Sequence, residues 1–519
     1  MNSIKTVLAA TLLVGAAACS PQKGLKDDAL AAMKAATAYM MDSVSVNGGF
    51  VWAYLPDFSR QWGEMEATRS MAWTQSPGTP GIGHVMLDAY HATGDEYYYD
   101  CALKVAKALI WGQLDCGGWN YVFDFEGEEH LRQWYSTVGA SGWRLEEFQH
   151  YYGNATFDDS ASTDCARFML RMYLEKGDGD CLASLEKAIG FVLDSQYPCG
   201  GWPQRYPLMY DHPFRGKADY TSFVTLNDSV TPDAVEFLQD CARALDRPEL
   251  DEAASRGMYL LRDLQQPSPL AGWSDQYFVE SLKPAHARSY EPAGINAGTT
   301  QSMIRLMEKY YLQTGDRSFV EGIPAALDYL ESSAVSAEEA ERWGRPTRDS
   351  AAVLVPRFID PDSGLPQYVH REGTNVYNGR YYCDQDISGT IGHYSSAAWV
   401  NVGALREGYE ALMASEWQEP DDVLEDDGYY FHGRGEDEAA VREIVSSLDS
   451  LGRWLSPLGS TSNPYKAGAD PTPSHEKAFA STNVGDEFDT SPYRCTDGTL
   501  CISTRDFIQK MTALVEFVK

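Results

Sequence analysis

Positive charge is scarce in this chain. Its 519 residues hold 42 Lys and Arg against 75 Asp and Glu, a formal charge of −33. Nucleic-acid binding needs a basic face that displaces counterions, so this balance argues against it. Long apolar runs are missing as well. Beyond the first nineteen residues none reaches the roughly 18 apolar residues of a membrane span. No two cysteines stand in C-x-x-C spacing, which removes the common zinc frameworks. Strand-like runs are few and short, "AAVLVPRFI" (351–359) and "LPQYV" (365–369) being the clearest.

What is present begins with an export signal. Lys5 precedes an apolar run from Val7 to Val14, and "GAAAC" closes it at Cys19. Small residues directly before a Cys have the form of a bacterial lipoprotein signal, with Ala16 where Leu is commoner. The expectation is a lipidated Cys19 and an exported protein, periplasmic or held at the outer membrane or cell surface. Contact with membrane is expected only through that lipid, and the protein is expected to be a monomer. Cys495 and Cys501 are close enough in sequence to close a small disulfide loop, whereas most other cysteines read as buried thiols. Acid is concentrated in "EWQEPDDVLEDD" (416–427) and "GEDEAAVRE" (435–443), read as solvated surface. Because charge is screened beyond about 8–10 Å at physiological salt, one cleft can still be positive.

The chain repeats a theme. "YHATGDEYYYDCALKVAKALIWGQLDCGGW" (90–119), "YLEKGDGDCLASLEKAIGFVLDSQYPCGGW" (173–202) and "YLQTGDRSFVEGIPAALDYLESS" (311–333) each read as a helix end, a Gly-Asp turn and a second helix. In the first two a Gly-Gly-Trp loop follows. Leu182, Leu185, Ala188, Ile189, Val192 and Leu193 fall on one helical face. Glycine stops the first helix of each pair and Asp caps the second. Further helices are expected over Asp28–Asp42, Pro232–Arg243, Glu252–Gln265, Ala297–Tyr311, Ala397–Met413 and Arg505–Val518. Recurring hairpins at irregular spacing predict an all-α fold, an α/α barrel or partial α/α toroid with a few short strands. Three parts are expected: the signal (1–19), the toroid (24–415) and a C-terminal helical extension packing on it (416–519).

"QYPCGGWPQRYP" (196–207) spends paired glycines, a Trp and an Arg on one turn, and "VTLND" (224–228) follows. After these come "GWSDQY" (272–277), "KPAHARSYE" (283–291) and "PRFIDPDSGLPQYVHREG" (356–373), and before them "FDDSASTDCARFMLRMY" (157–173). In order and character these blocks resemble the pectate lyases of polysaccharide lyase family 10, over roughly Ala102 to Gly373. The resemblance implies a helical toroid-like fold and Ca²⁺-assisted β-elimination of polygalacturonate, an acidic polysaccharide.

That chemistry accounts for the residue types. Removing the C5 proton of a uronic acid builds negative charge onto its carboxylate before the C4–O bond breaks. Cations at that carboxylate stabilise the charge, and Ca²⁺ takes hard oxygen ligands such as Asp. The resemblance makes Asp158 and Asp228 the calcium-associated acids, with Asp159 and Asn227 as neighbours. Arg288 matches the Arg proposed as the base, which requires a desolvated site crowded with cations, since Arg is otherwise always charged. Without such cations it is only a clamp. Arg357 and Arg371 match the arginines that bind uronate carboxylates, for which a bidentate fork suits. Lys283 adds positive charge, Trp202, Trp273 and Tyr290 are placed beside the sugar, and Tyr206 supports the cleft.

Several stretches depart from the family pattern. "LMYDHPFRGKADYTSF" (208–223) is longer than the usual link, and the stretch after Trp119 through "EGEEHLRQWYSTVGASGWRLEEFQHYYGN" (126–154) has the look of an insertion. "HREG" replaces the family's acid before its Arg and Asp after it. Two other readings stay open: an α/α-barrel glycoside hydrolase using two carboxylates, for which the arginines would be unexplained, and a non-catalytic surface glycan-binding lipoprotein.

Overall fold

The structure is a computed structural model, and it describes residues 24–141, 147–210, 213, 216–345, 352–372, 380–388, 390, 396–419, 428–433, 437–462, 492–495 and 497–519. Cys19 and the expected signal lie outside them. In chain order the α-helices are α1 (Leu25–Tyr39), α2 (Thr79–Thr93), α3 (Glu96–Gly112), α4 (Glu128–Thr137), α5 (Ala161–Lys176), α6 (Gly179–Ser195), α7 (Val230–Ala244), α8 (Glu249–Asp263), α9 (Ala297–Thr314), α10 (Ile323–Ser332), α11 (Ala337–Arg342), α12 (Val402–Ala414), α13 (Glu438–Ser446) and α14 (Thr504–Val518).

They pair as hairpins in two layers. The pairs α2/α3, α5/α6, α7/α8 and α9/α10 stand side by side, and the C-terminal α14 packs against both α1 and α2. Helix α2 is buried at every position from Thr79 to Ala89, which marks α14, α2, α5 and α7 as the inner row. Helices α1, α3, α6, α8 and α10 form the outer row. The result is the all-α toroid-like arc expected from the repeats, with α12 packing on α10 and α13 on α1 at its ends. The Gly-Asp turns behave as the sequence predicts. Asp95 caps α3 by accepting from Tyr97 N–H, and Asp178 caps α6 by accepting from Asp180 and Cys181 N–H. Asp316 instead caps a short 3₁₀ turn, Arg317–Phe319, and α10 starts only at Ile323 with Pro324 in its first turn.

The Gly-Gly-Trp loops are joints between repeats. Gly117 and Gly200 have φ of +97° and +106°, and a Cβ there would fall 2.1 Å from Lys187 O and 2.5 Å from Arg256 O of the next outer helix. Only glycine combines that conformation with that approach. A glutamine in each joint clasps the same two parts. Gln113 donates to Gly117 O and Ser184 O at 2.7 and 2.9 Å, and Gln196 to Gly200 O and Ala253 O at 2.9 and 2.8 Å. The indoles point into the core. Trp119, Trp202 and Trp273 donate Nε1–H to Leu109 O, Val192 O and Leu261 O, at 2.7, 2.7 and 2.8 Å.

Two expectations need correction. Ala397–Val400 is a strand antiparallel to Val353–Pro356, and the helix expected from Ala397 begins only at Val402, capped by Asn401. Pairing of Trp399 with Leu354 and Val400 with Val353 outweighs the helical pattern there. Cys495 and Cys501 are free thiols beside Trp62 and Leu458. A five-stranded sheet in the order 455–457, 500–503, 53–54, 61–62, 66–67 joins the chain's two ends.

Candidate active site

Two turns of nearly identical form open neighbouring inner helices. Phe157-Asp158-Asp159-Ser160 leads into α5 and Leu226-Asn227-Asp228-Ser229 into α7. Asp159 and Asp228 have φ of 50° and 49°, and Ser160 and Ser229 have φ of 59° and 58°. Left-handed backbone at four non-glycine residues is costly, and such strain persists where the surroundings over-determine it. The surroundings are evident. Leu226 and Asn227 N–H donate to Asp275 O at 2.8 and 3.2 Å. Asp158 N–H donates to Thr156 Oγ1 at 3.1 Å, Gln75 donates to the Asp159 carboxylate, and Ser160 donates to Asp233.

Over these turns lies the segment that carries Arg288. Strand Pro284–Ala285 pairs with Gln276–Tyr277, which pairs in turn with Val224–Thr225 just before the Asp228 turn. Arg288 is 1% exposed. Its Nη2 donates to Glu147 Oε1 at 2.9 Å and Asp158 Oδ2 at 3.2 Å. Its Nη1 donates to Glu291 at 3.4 Å, and its backbone N–H to Glu291 Oε2 at 2.9 Å. The Tyr121 hydroxyl donates to Asp158 Oδ2 and lies 3.1 Å from Glu147 Oε1. One guanidinium thus holds three carboxylates, Glu291 from its own turn and Glu147 and Asp158 from far earlier in the chain.

The electrostatics follow from that crowding. Burial, then repulsion from Asp228, pushes the Asp158 carboxyl up to about 7, while Arg288 pulls the other way. Asp228 is pushed up to about 6 by crowding from the protein and then by Asp159. Its side chain is nevertheless open to solvent, which weakens the first cause and leaves the second. Arg288 is held charged, well above the ordinary arginine range, because Glu147 and Glu291 outweigh the opposing effect of burial.

Of the residues singled out from sequence, Asp158, Asp228 and Arg288 form one cluster. Arg357 joins it through Asp275, whose carboxyl is raised by burial and drawn back by its Thr299 hydrogen bond and then by the charge of Arg357. Arg371 is buried in the hairpin 368–372/380–384 opposite Tyr381, whose ring lies 5.7 Å from that of Tyr290. Tyr290 is itself buried. Lys283 is exposed on the turn before Pro284 and makes no ion pair among the described residues. Trp202 and Trp273, expected beside the sugar, are 0% and 1% exposed. Their rings belong to the joints between repeats and offer no face to a ligand in this arrangement.

Sequence reasoning missed Glu147, Glu291, Tyr121 and Asp275. Glu291 was within reach, standing three residues after Arg288 in the same block. Glu147 was not: it lies 141 residues from its partner, at the end of the stretch that looked inserted.

The donor set suits a hard divalent cation. Asp158 Oδ1 and Asn227 Oδ1 are buried oxygens with no hydrogen-bond partner, and the Asp159 and Asp228 charges repel each other nearby. Carboxylate and amide oxygens are the ligands Ca²⁺ takes. Among the described residues no three His, Cys, Asp or Glu side chains already form a metal cage, so a cation here would complete its shell from solvent and substrate.

Glu147, Asp158, Asp228, Arg288, Arg357 and Arg371 all fall within one stretch that resembles the polysaccharide lyases. Residues 128–382 match the family model of the pectic acid lyases. Among solved structures, the family 10 polysaccharide lyase from Cellvibrio cellulosa is similar at 15% identity and a TM-score of 0.42, covering 64% of this chain and 98% of that one. A mutant of that enzyme in complex with trigalacturonic acid gives the same values. A family GH76 α-mannanase from Bacteroides thetaiotaomicron is similar at 11% identity and a TM-score of 0.36, covering 64% and 77%. No curated protein sequence matches the chain.

Proposed function

We propose that the protein cleaves pectate, or a closely related uronic-acid polysaccharide, by Ca²⁺-assisted β-elimination. The observation that carries the reading is the convergence of Asp158, Asp228 and Arg288 from three separate blocks of the pectic acid lyase segment. A bound Ca²⁺ would neutralise charge that develops on the uronate carboxylate as the C5 proton leaves. Asp159, Asp228, Asp158 Oδ1 and Asn227 Oδ1 are the groups that would hold it. Arg357 and Arg371 orient the uronate carboxylates through their planar forks.

Arg288 is the group proposed to receive the C5 proton. It starts charged, held so by Glu147, Asp158 and Glu291, so the reaction gains speed only as alkaline pH draws that proton off. Because Arg288 is 1% exposed, with its guanidinium carbon 5.6 Å from the Tyr220 ring centroid, a sugar reaches it when a side chain such as Tyr220 moves. Export on a lipidated Cys19, with the cleft presented to polysaccharide outside the cytoplasm, completes the proposal.

Incubation with polygalacturonate tests it. Ultraviolet absorbance from unsaturated ends, abolished by EDTA and restored by Ca²⁺, is the expected result. New reducing ends without absorbance would favour a hydrolase, for which the raised carboxyls of Asp158 and Asp228 would be the acid and base. Binding without either product would favour a glycan-binding protein.

A further inference from the structure

A segment outside the pectic acid lyase match packs against the inner helices of the arc. Residues 428–433 dip between α2, α5 and α14. Gly428 lies against the His91 ring near the end of α2, and the Lys519 Nζ stands 4.6 Å from the Tyr429 ring at the end of α14. Tyr430 and Phe431 reach further in. The Tyr430 ring stacks on fully buried His84, with centroids 3.6 Å apart and planes 8° from parallel.

The grip on this segment is polar and specific. Asp88 is 0% exposed and accepts from Tyr430 N–H at 2.9 Å, Phe431 N–H at 3.0 Å and Arg171 Nη2 at 2.6 Å. The same Arg171 nitrogen donates to Gly428 O at 2.8 Å, while Nη1 lies 3.0 Å from His84 Nδ1. A buried carboxylate that spends its acceptors on two successive amides fixes the register of the segment, which apolar packing alone would not do.

The grip leads to the candidate site. The Tyr430 hydroxyl donates to Asp164 Oδ1 at 3.1 Å, in the first turn of α5. Arg167 lies 3.8 Å from Asp164, donates to Asp233 O at 3.3 Å and to Asp240 at 3.4 Å, both on α7. Asp233 in turn accepts from Ser160, beside Asp159. We propose that Tyr430 is a positioning residue: through Asp164 and Arg167 it locks the starts of α5 and α7, and so the spacing of the strained Asp159 and Asp228 turns.

The consequence for activity rests on the lyase reading, but the positioning does not, and the experiment separates them. In the full chain, Tyr430→Phe keeps the stacked ring and removes one hydroxyl. Hydrogen exchange at amides 158–165, followed by mass spectrometry, should accelerate roughly tenfold, as loss of a hydrogen bond to a charged acceptor implies. Exchange elsewhere should stay unchanged, and Tyr429→Phe should behave as wild type. In an Asp164→Ala background, which removes the acceptor, Tyr430→Phe should add nothing. With polygalacturonate the variant should show a raised KM and weaker Ca²⁺ binding by calorimetry. Unchanged exchange at 158–165, or acceleration spread over the whole chain, overturns the proposal. A wild type that is inactive on uronates would end the lyase reading while leaving the exchange result decisive.

Discussion

Asp228 stands to α7 as Asp159 stands to α5. Both have φ near +50°, both precede a left-handed Ser, and the charge of Asp159 pushes up the Asp228 carboxyl. Asp158, one residue earlier, corresponds to Asn227 and spends Oδ2 on Tyr121 and Arg288. The acids most alike in geometry are therefore Asp159 and Asp228. Asp159→Asn should weaken Ca²⁺ binding in calorimetry roughly tenfold or more, as much as Asp228→Asn does, since affinity follows the charge of the ligand set. An Asp159→Asn protein that binds Ca²⁺ as tightly as wild type would remove that residue from the cation's shell.

Arg288→Ala should lower kcat by about 10²–10⁴, the usual range for losing proton transfer to a positioned group. Glu147→Gln tests the environment instead. It removes one of three carboxylates that hold Arg288 charged, so the alkaline limb of the pH–rate profile should move toward neutral pH. An unmoved limb would mean that Arg288 is not the group titrating.

Asp158 carries a stability signature. Its carboxyl binds a proton more tightly folded, at about 7, than unfolded, near the ordinary aspartate value of 3.8. Between about pH 4 and 7 the folded chain holds more protons, so stability falls as pH rises through that window. In EDTA, the Tm of the wild type should drop relative to Asp158→Asn as pH rises between those values, the loss in unfolding free energy being on the order of a few kcal/mol at most. Parallel Tm curves would show that Asp158 titrates normally.

Trp202→Ala should destabilise the fold by about 3–5 kcal/mol, read from a urea midpoint. The substitution opens a core cavity and leaves Val192 O without its 2.7 Å donor. Trp202→Phe should lose less stability and keep KM for polygalacturonate. A large KM change in Trp202→Phe with unchanged stability would return this indole to the sugar.

The hairpin repeat was legible because it is local: helical periodicity, a capping Asp and a glycine stop lie within one stretch of chain. Asp158, Asp228 and Arg288 were legible through their blocks. Glu147 was not, because its only signal is a contact across 141 residues. Trp202 was ambiguous for a physical reason. An indole beside two glycines suits a sugar platform and a core wedge equally well, and only the 10-residue reach back to Val192 O decides. The strand at Ala397–Val400 was hidden likewise, since its partner strand lies 44 residues earlier.

The hairpins also have a direction. Every inner helix described at the site begins there, so each outer helix ends there, and α1, an outer helix of 15 residues, starts at the far side. At 1.5 Å per residue that is about 22 Å away. A lipid on Cys19, only a few residues before α1, would grip the molecule by its back. The cleft would then look outward, toward polymer arriving from the surroundings and away from the bilayer.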